Sequence, residues 1–129
     1  GGVRWINDSK ATNIAAAKVG IRGLNRRAIV LLGGQAKGPG FAELASSLGG
    51  KRAIICFGGS GADIAAELEA VGVSTYTVGP MADAVLLARD LAQSGDVVLL
   101  SPGCASFDEF DHFEHRGDTF RGLVQGDPR

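Results

Sequence analysis

A chain of 129 residues that is 45% hydrophobic and 21% charged has the composition of one globular domain and too little length for two independent cores. Thirteen basic against fourteen acidic side chains leave a formal net charge of -1, so no chain-wide field exists to recruit nucleic acid or an anionic membrane surface. Apolar runs such as residues 28–32 and 97–100 fall far short of the ~20 residues of a bilayer crossing, the first residues show no basic stretch followed by an apolar run, and Cys56 and Cys104 match no disulfide or metal spacing, so a reducing cytoplasm is the expectation.

In chain order, apolar β-branched runs alternate with stretches of helical period. Strands are expected at residues 3–6, 28–32, 53–57, 74–77 and 97–100, and helices at 13–20, 41–48, 62–70, 82–93 and about 107–124. All the strands but the fourth lack an alternation of polar and apolar residues, as strands buried on both faces do; Ser74-Thr75-Tyr76-Thr77 is therefore assigned to an edge. Ile64 and Leu68 in the third helical segment, and Val85, Ala88 and Leu91 in the fourth, form inward stripes. Gly72, Gly95 and the Gly49-Gly50 pair stand where helices should stop. The implied architecture is α/β: a doubly wound, mostly parallel, Rossmann-like sheet of five or six strands with helices on both faces, forming a single domain over residues 1–129. Ligands are expected at the loops that leave the carboxyl ends of the strands.

Four loops meet that rule. Residues 7–13, Asn-Asp-Ser-Lys-Ala-Thr-Asn, pack more polar equipment than a turn needs, although Ser9 or Thr12 capping the next helix, with Lys10 solvated, would also account for them. Residues 33–40 resemble a phosphate cradle without the Ser or Thr that would follow a Gly-Lys pair, so Lys37 is either a point charge for a carboxylate or phosphate or a solvated loop residue. Residues 58–63 lack complete dinucleotide-binding spacing and read as a turn and helix cap. Residues 101–108 lead into the last expected helix, where Ser106 and the following N–H groups either bind an anion or cap the helix, with Asp108 and Glu109 complementing its dipole. Cys104 has no visible base to activate it, and His112 and His115, three apart, read as a solvated helix face in preference to a metal pair.

Three of these loops, in this order, resemble the C-terminal domain of the Mur ligases, in the branch that adds D-glutamate. The resemblance rests on Trp5-Ile6-Asn7-Asp8-Ser9-Lys10-Ala11-Thr12-Asn13, on Leu31-Leu32-Gly33-Gly34 followed by Lys37, and on Ser101-Pro102-Gly103-Cys104-Ala105-Ser106-Phe107-Asp108 continuing to Phe110, Phe113, Glu114, Arg116 and Gly117. It implies an ATP-driven amide ligase in which a carboxylate of UDP-N-acetylmuramoyl-L-alanine is activated as an acyl phosphate and attacked by the amine of D-glutamate. It further implies that Thr12, Lys37, Ser106 and the Phe107 backbone surround the D-glutamate carboxylates with Phe113 packed beside them, that Asp8 touches the ATP ribose, and that Lys10 lies near the reacting groups. ATP and magnesium would be held mainly by a central domain outside this sequence, so the chain by itself is expected to be inactive and to need the rest of a ligase polypeptide. The competing expectation is a non-catalytic α/β binding or interaction module.

Overall fold

Strands built of unbroken apolar residues need cover on both faces, and the helices supply it. The computed structural model, which describes residues 2–25 and 27–125, has strands β1 (Arg4–Asn7), β2 (Ala28–Gly33), β3 (Ala53–Phe57), β4 (Tyr76–Thr77) and β5 (Val97–Leu100). All pair in parallel, in the order β1-β5-β2-β3-β4. The helices are α1 (Ile14–Arg22), a 3₁₀ turn Phe41–Leu44 running into the single turn of α2 (Ala45–Leu48), α3 (Gly61–Glu69), α4 (Met81–Leu91) and α5 (Phe113–Gln125).

The pleat divides the core. Val30 and Leu32 of β2 pack with Ile21 of α1, Leu48 of α2 and Ile64 and Leu68 of α3, whereas Ile29 and Leu31 face Met81, Val85 and Ala88 of α4 and Phe120 of α5. Burying each large aliphatic side chain is worth roughly 2 kcal/mol, which makes β2, buried along its whole length, the anchor of both layers.

Three expectations need correction. β1 is an edge strand with exposed ends, Arg4 and Asn7, and its middle residues Trp5 and Ile6 are only half-buried, one against each core layer, so it is not the fully buried strand its apolar letters suggested. Residues 41–48 divide into a 3₁₀ turn and one α turn instead of a continuous helix. The last helix starts at Phe113, six residues later than its spacing implied, for reasons that lie in the site.

The amino end of the sheet is closed by charge. Asp96, whose side chain is inaccessible, accepts from Gln93 N at 2.8 Å, is doubly contacted by Arg52, with Nη2 at 3.0 Å, and lies 3.7 Å from Arg27 Nε. Burial raises its pKa, but the bonds from Arg52 and Gln93 and the two guanidinium charges outweigh that, and the carboxyl is held below the usual carboxylate range.

Candidate functional site

At the carboxyl end, the first loop divides its labour. Asn7 Oδ1 accepts Ser9 N at 3.1 Å while its Nδ2 donates to Gly117 O at 2.9 Å, tying β1 to α5. Asn13, and neither Ser9 nor Thr12, caps α1 by accepting Ala16 N at 2.9 Å. Ser9 is buried; its hydroxyl donates to Phe113 O at 2.7 Å and accepts from Arg116 Nε at 2.9 Å. Asp8 Oδ2 accepts from Ser101 Oγ at 2.8 Å, which fastens the carboxylate to the end of β5.

The loop after β2 is joined to the loop after β5. Gln35 and Ala105 exchange backbone hydrogen bonds at 2.8 and 3.1 Å. This approach requires glycine at Gly34, where φ is 125° and a Cβ would stand 2.4 Å from Ala105 O. Residues 58–63 form the expected turn into α3, but Ser60 at its start makes no side-chain cap bond; its hydroxyl reaches across to accept Ala36 N at 2.9 Å.

The loop after β5 explains the late start of α5. The carbonyl of Ser106 accepts from Glu109 N at 3.2 Å and Phe110 N at 2.8 Å, closing one turn that goes no further. Asp108 and Glu109 do not serve their own helix: Asp108 Oδ2 accepts Gly59 N at 2.8 Å, and both oxygens of Glu109 lie 3.2 Å from Met81 N at the start of α4. Burial of its carboxyl, opposed by the Met81 bond and helped by the charge of Asp108, pushes the Glu109 pKa up. Ser106 is thus neither the cap nor the dipole-facing residue of α5, and its buried hydroxyl has no hydrogen-bond partner among the described residues. His112 Nδ1 accepts His115 N at 3.0 Å and His115 Nδ1 accepts Asp111 N at 3.1 Å, so these histidines organise the start of α5. Among the described residues no group of three or more His, Cys, Asp or Glu side chains could hold a metal ion.

Thr12 and Lys37 meet across a cavity of about 300 Å³ that is also walled by Phe41 and Gly103. Asp8 and Lys10 share a larger, mostly apolar cavity of about 710 Å³ with Ile6 and Leu99. Phe113 lines a third, of about 520 Å³, again with Lys10 at its rim, and it does not line the cavity that holds Thr12 and Lys37. Phe107 is 67% exposed. The structure therefore brings Thr12 beside Lys37, and Asp8 beside Lys10. It holds the Ser106 loop against the Lys37 loop through the Gln35–Ala105 pair.

Reasoning from residue types missed the role of Arg116. It is fully buried, donates from Nε to Ser9 Oγ and from Nη2 to Ser9 O at 2.7 Å, and keeps an unpartnered Nη1 about 3.0 Å from where a Gly34 Cβ would stand. Burial draws the guanidinium pKa down while the neighbouring Cys104, Asp108 and Glu109 raise it. The signal was present: Arg116 stands four residues before Phe120 and seven before Leu123, on the inward stripe of α5, whereas Phe113, three residues earlier, is exposed. Burial pushes the Cys104 and Cys56 thiols up to about 12, so neither is a thiolate nucleophile at neutral pH.

Residues 1–104 match the family described as Mur ligase, glutamate ligase domain. The chain is 43% identical over 124 residues to the UDP-N-acetylmuramoylalanine--D-glutamate ligase of Myxococcus xanthus, covering 96% of this chain and 27% of that protein. It is 47% identical over 128 residues to the ligase of the same name from Rubrobacter xylanophilus (98% and 29%), and 44% identical over 128 residues to that of Idiomarina loihiensis (96% and 27%). The chain thus spans less than a third of the length of these relatives.

Proposed function

This chain belongs to the Mur ligase family through its glutamate ligase domain, and on that premise we propose that it is the amino-acid-binding domain of a cytoplasmic, ATP-dependent ligase that joins D-glutamate to UDP-N-acetylmuramoyl-L-alanine. The observation that carries this reading is the meeting of Thr12 and Lys37 across one small cavity, with the Ser106 loop held alongside.

D-Glutamate brings two carboxylates, and burying them is costly unless donors meet each one. An ammonium on Lys37 and hydroxyls on Thr12 and Ser106 are such donors, supplemented by the backbone of Phe107. The Ser106 hydroxyl is buried, has no hydrogen-bond partner among the described residues and does not line the Thr12–Lys37 cavity, so on this reading a movement of its loop brings it to the carboxylate, where an unpaired donor gains a bond. In the reaction the terminal carboxylate of the UDP-muramoyl-alanine takes the γ-phosphoryl group of ATP. The amine of D-glutamate then attacks the acyl carbon, phosphate departs with the acyl oxygen's bonding pair, and the amine gives up a proton. This chain's part is to hold the amine where it can attack, a contribution of position and desolvation. Asp8 and Lys10, which share the larger cavity, are assigned to the ATP ribose and to the reacting groups respectively. Among the described residues no group of side chains could hold magnesium, so magnesium and the greater part of ATP are assigned to the rest of the ligase, with Asp8 contributing at the ribose. The isolated chain accordingly releases no phosphate.

The test is steady-state kinetics in the complete ligase carrying Lys37→Ala or Ser106→Ala. Loss of one charge-assisted bond to a carboxylate should raise KM for D-glutamate about tenfold to a hundredfold while KM for ATP stays put. A D-glutamate KM unchanged in both variants would reject the reading.

A further inference from the structure

Lys37 stands on an arch of three residues, Lys37-Gly38-Pro39, and the side chains that fix its two feet both come from α3 and its cap. On one side Ala36 N donates to Ser60 Oγ at 2.9 Å. On the other, Gly40 N and Phe41 N both donate to Glu67 Oε1 at 2.8 Å. The arch itself is lightly packed: a Cβ on Gly38 would meet nothing within 4 Å. It also separates two spaces. One is the cavity of about 300 Å³ shared with Thr12; the other, of about 410 Å³, lies on the α3 side and is lined by Ser60, Asp63, Ile64 and Glu67.

An exposed lysine on a glycine-containing arch has little of its own to hold it in place, and long side chains carry large conformational entropy. With both feet released, the arch has room to sink into the second cavity and withdraw Lys37 from Thr12. We propose that Ser60 and Glu67 are positioning residues that set the height of the Lys37 arch and thereby the affinity of the domain for its amino-acid substrate. The proposal rests on the assignment of D-glutamate to the Thr12–Lys37 cavity, and it adds residues that touch no substrate. A carboxylate accepting two backbone N–H bonds is a charge-assisted clamp, so Glu67 is the stronger foot and Ser60 the weaker.

In the complete ligase, KM for D-glutamate, KM for ATP and kcat are compared for Lys37→Ala, Ser60→Ala, Glu67→Ala, Glu67→Gln and the double variant Lys37→Ala/Glu67→Ala. Glu67→Ala should raise the D-glutamate KM about tenfold and Ser60→Ala about threefold, with KM for ATP and kcat within about twofold of the parent. Glu67→Gln, which keeps an oxygen acceptor, should recover most of the loss. In the double variant Glu67→Ala should add nothing beyond Lys37→Ala, because the lysine it positions is gone. A purely structural role would instead lower kcat or the active fraction and add fully in the double variant, which overturns the proposal. If Glu67→Ala fails to fold, Ser60→Ala decides alone: a D-glutamate KM equal to the parent's overturns it. A Lys37→Ala enzyme with unaltered D-glutamate KM overturns the D-glutamate assignment itself, and the positioning role with it; a raised value there with no change in Ser60→Ala and Glu67→Ala overturns the positioning role alone.

Discussion

The two ends of the sheet treat polar groups in opposite ways. At the amino end, Asp96 is inaccessible and satisfied by Arg52, Arg27 and the Gln93 amide, so its buried carboxylate is fully paired. At the carboxyl end, two buried donors, Ser106 Oγ and Arg116 Nη1, have no partner among the described residues, and four cavities open at the loops. A folded domain tolerates unpaired buried donors only at a cost in stability, so their concentration at one end marks where selection has favoured binding over rigidity.

Substitutions can break or sharpen this contrast. The largest effect belongs to Arg116, which ties the loop after β1 to α5: Arg116→Ala strips two bonds from Ser9 and opens a buried void, and should cost about 3–5 kcal/mol in denaturant unfolding. Next, Asp96→Ala should cost roughly 2 kcal/mol through the hydrogen bonds it forfeits, yet leave the D-glutamate KM of the complete ligase unchanged. Its pH dependence has a definite sign. The folded-state pKa of Asp96 lies below the unfolded one, so its stabilisation is complete above the ordinary carboxylate value and is lost as pH falls through the folded value; parent and Asp96→Asn should therefore converge only below about pH 4. Smallest in stability, and opposite in direction, is Ser106→Ala. Removing a buried hydroxyl that has no partner should leave stability equal or raise it by up to about 1 kcal/mol while weakening D-glutamate binding. A clear destabilisation by Ser106→Ala would dissolve the distinction between the two ends.

The sheet was legible in the sequence because its signal is local: runs such as Ala28 to Leu32 and Ala53 to Phe57 are apolar over the whole length of a strand. The start of α5 was not. Phe107, Phe110 and Phe113 recur at helical spacing, but Asp108 and Glu109 are spent on Gly59 and Met81, residues 49 and 28 positions away, and no local pattern announces such bonds. Strand β1 misled for a related reason, since its partner on one side only is decided by the global strand order. In the site, the polar residue types were visible, while their division between cavities was not. Asn13 took the capping role that spacing offered to Ser9 or Thr12, the Ser60 hydroxyl reached across to another loop, and Arg116, an arginine in a largely polar helix, gave its burial away only through its place four residues before Phe120.

Strand order carries one more consequence, for synthesis. β1 is made first but pairs only with β5, so Trp5 and Ile6 have no neighbouring strand until residues 97–100 have been translated and folded against β2. Sheet completion therefore waits for about three quarters of the domain to leave the ribosome, and contacts that close so large a loop form slowly. Until then the apolar segment at residues 5–6 stays unpaired, and the edge of β5 that receives it is the last part of the sheet to be sealed.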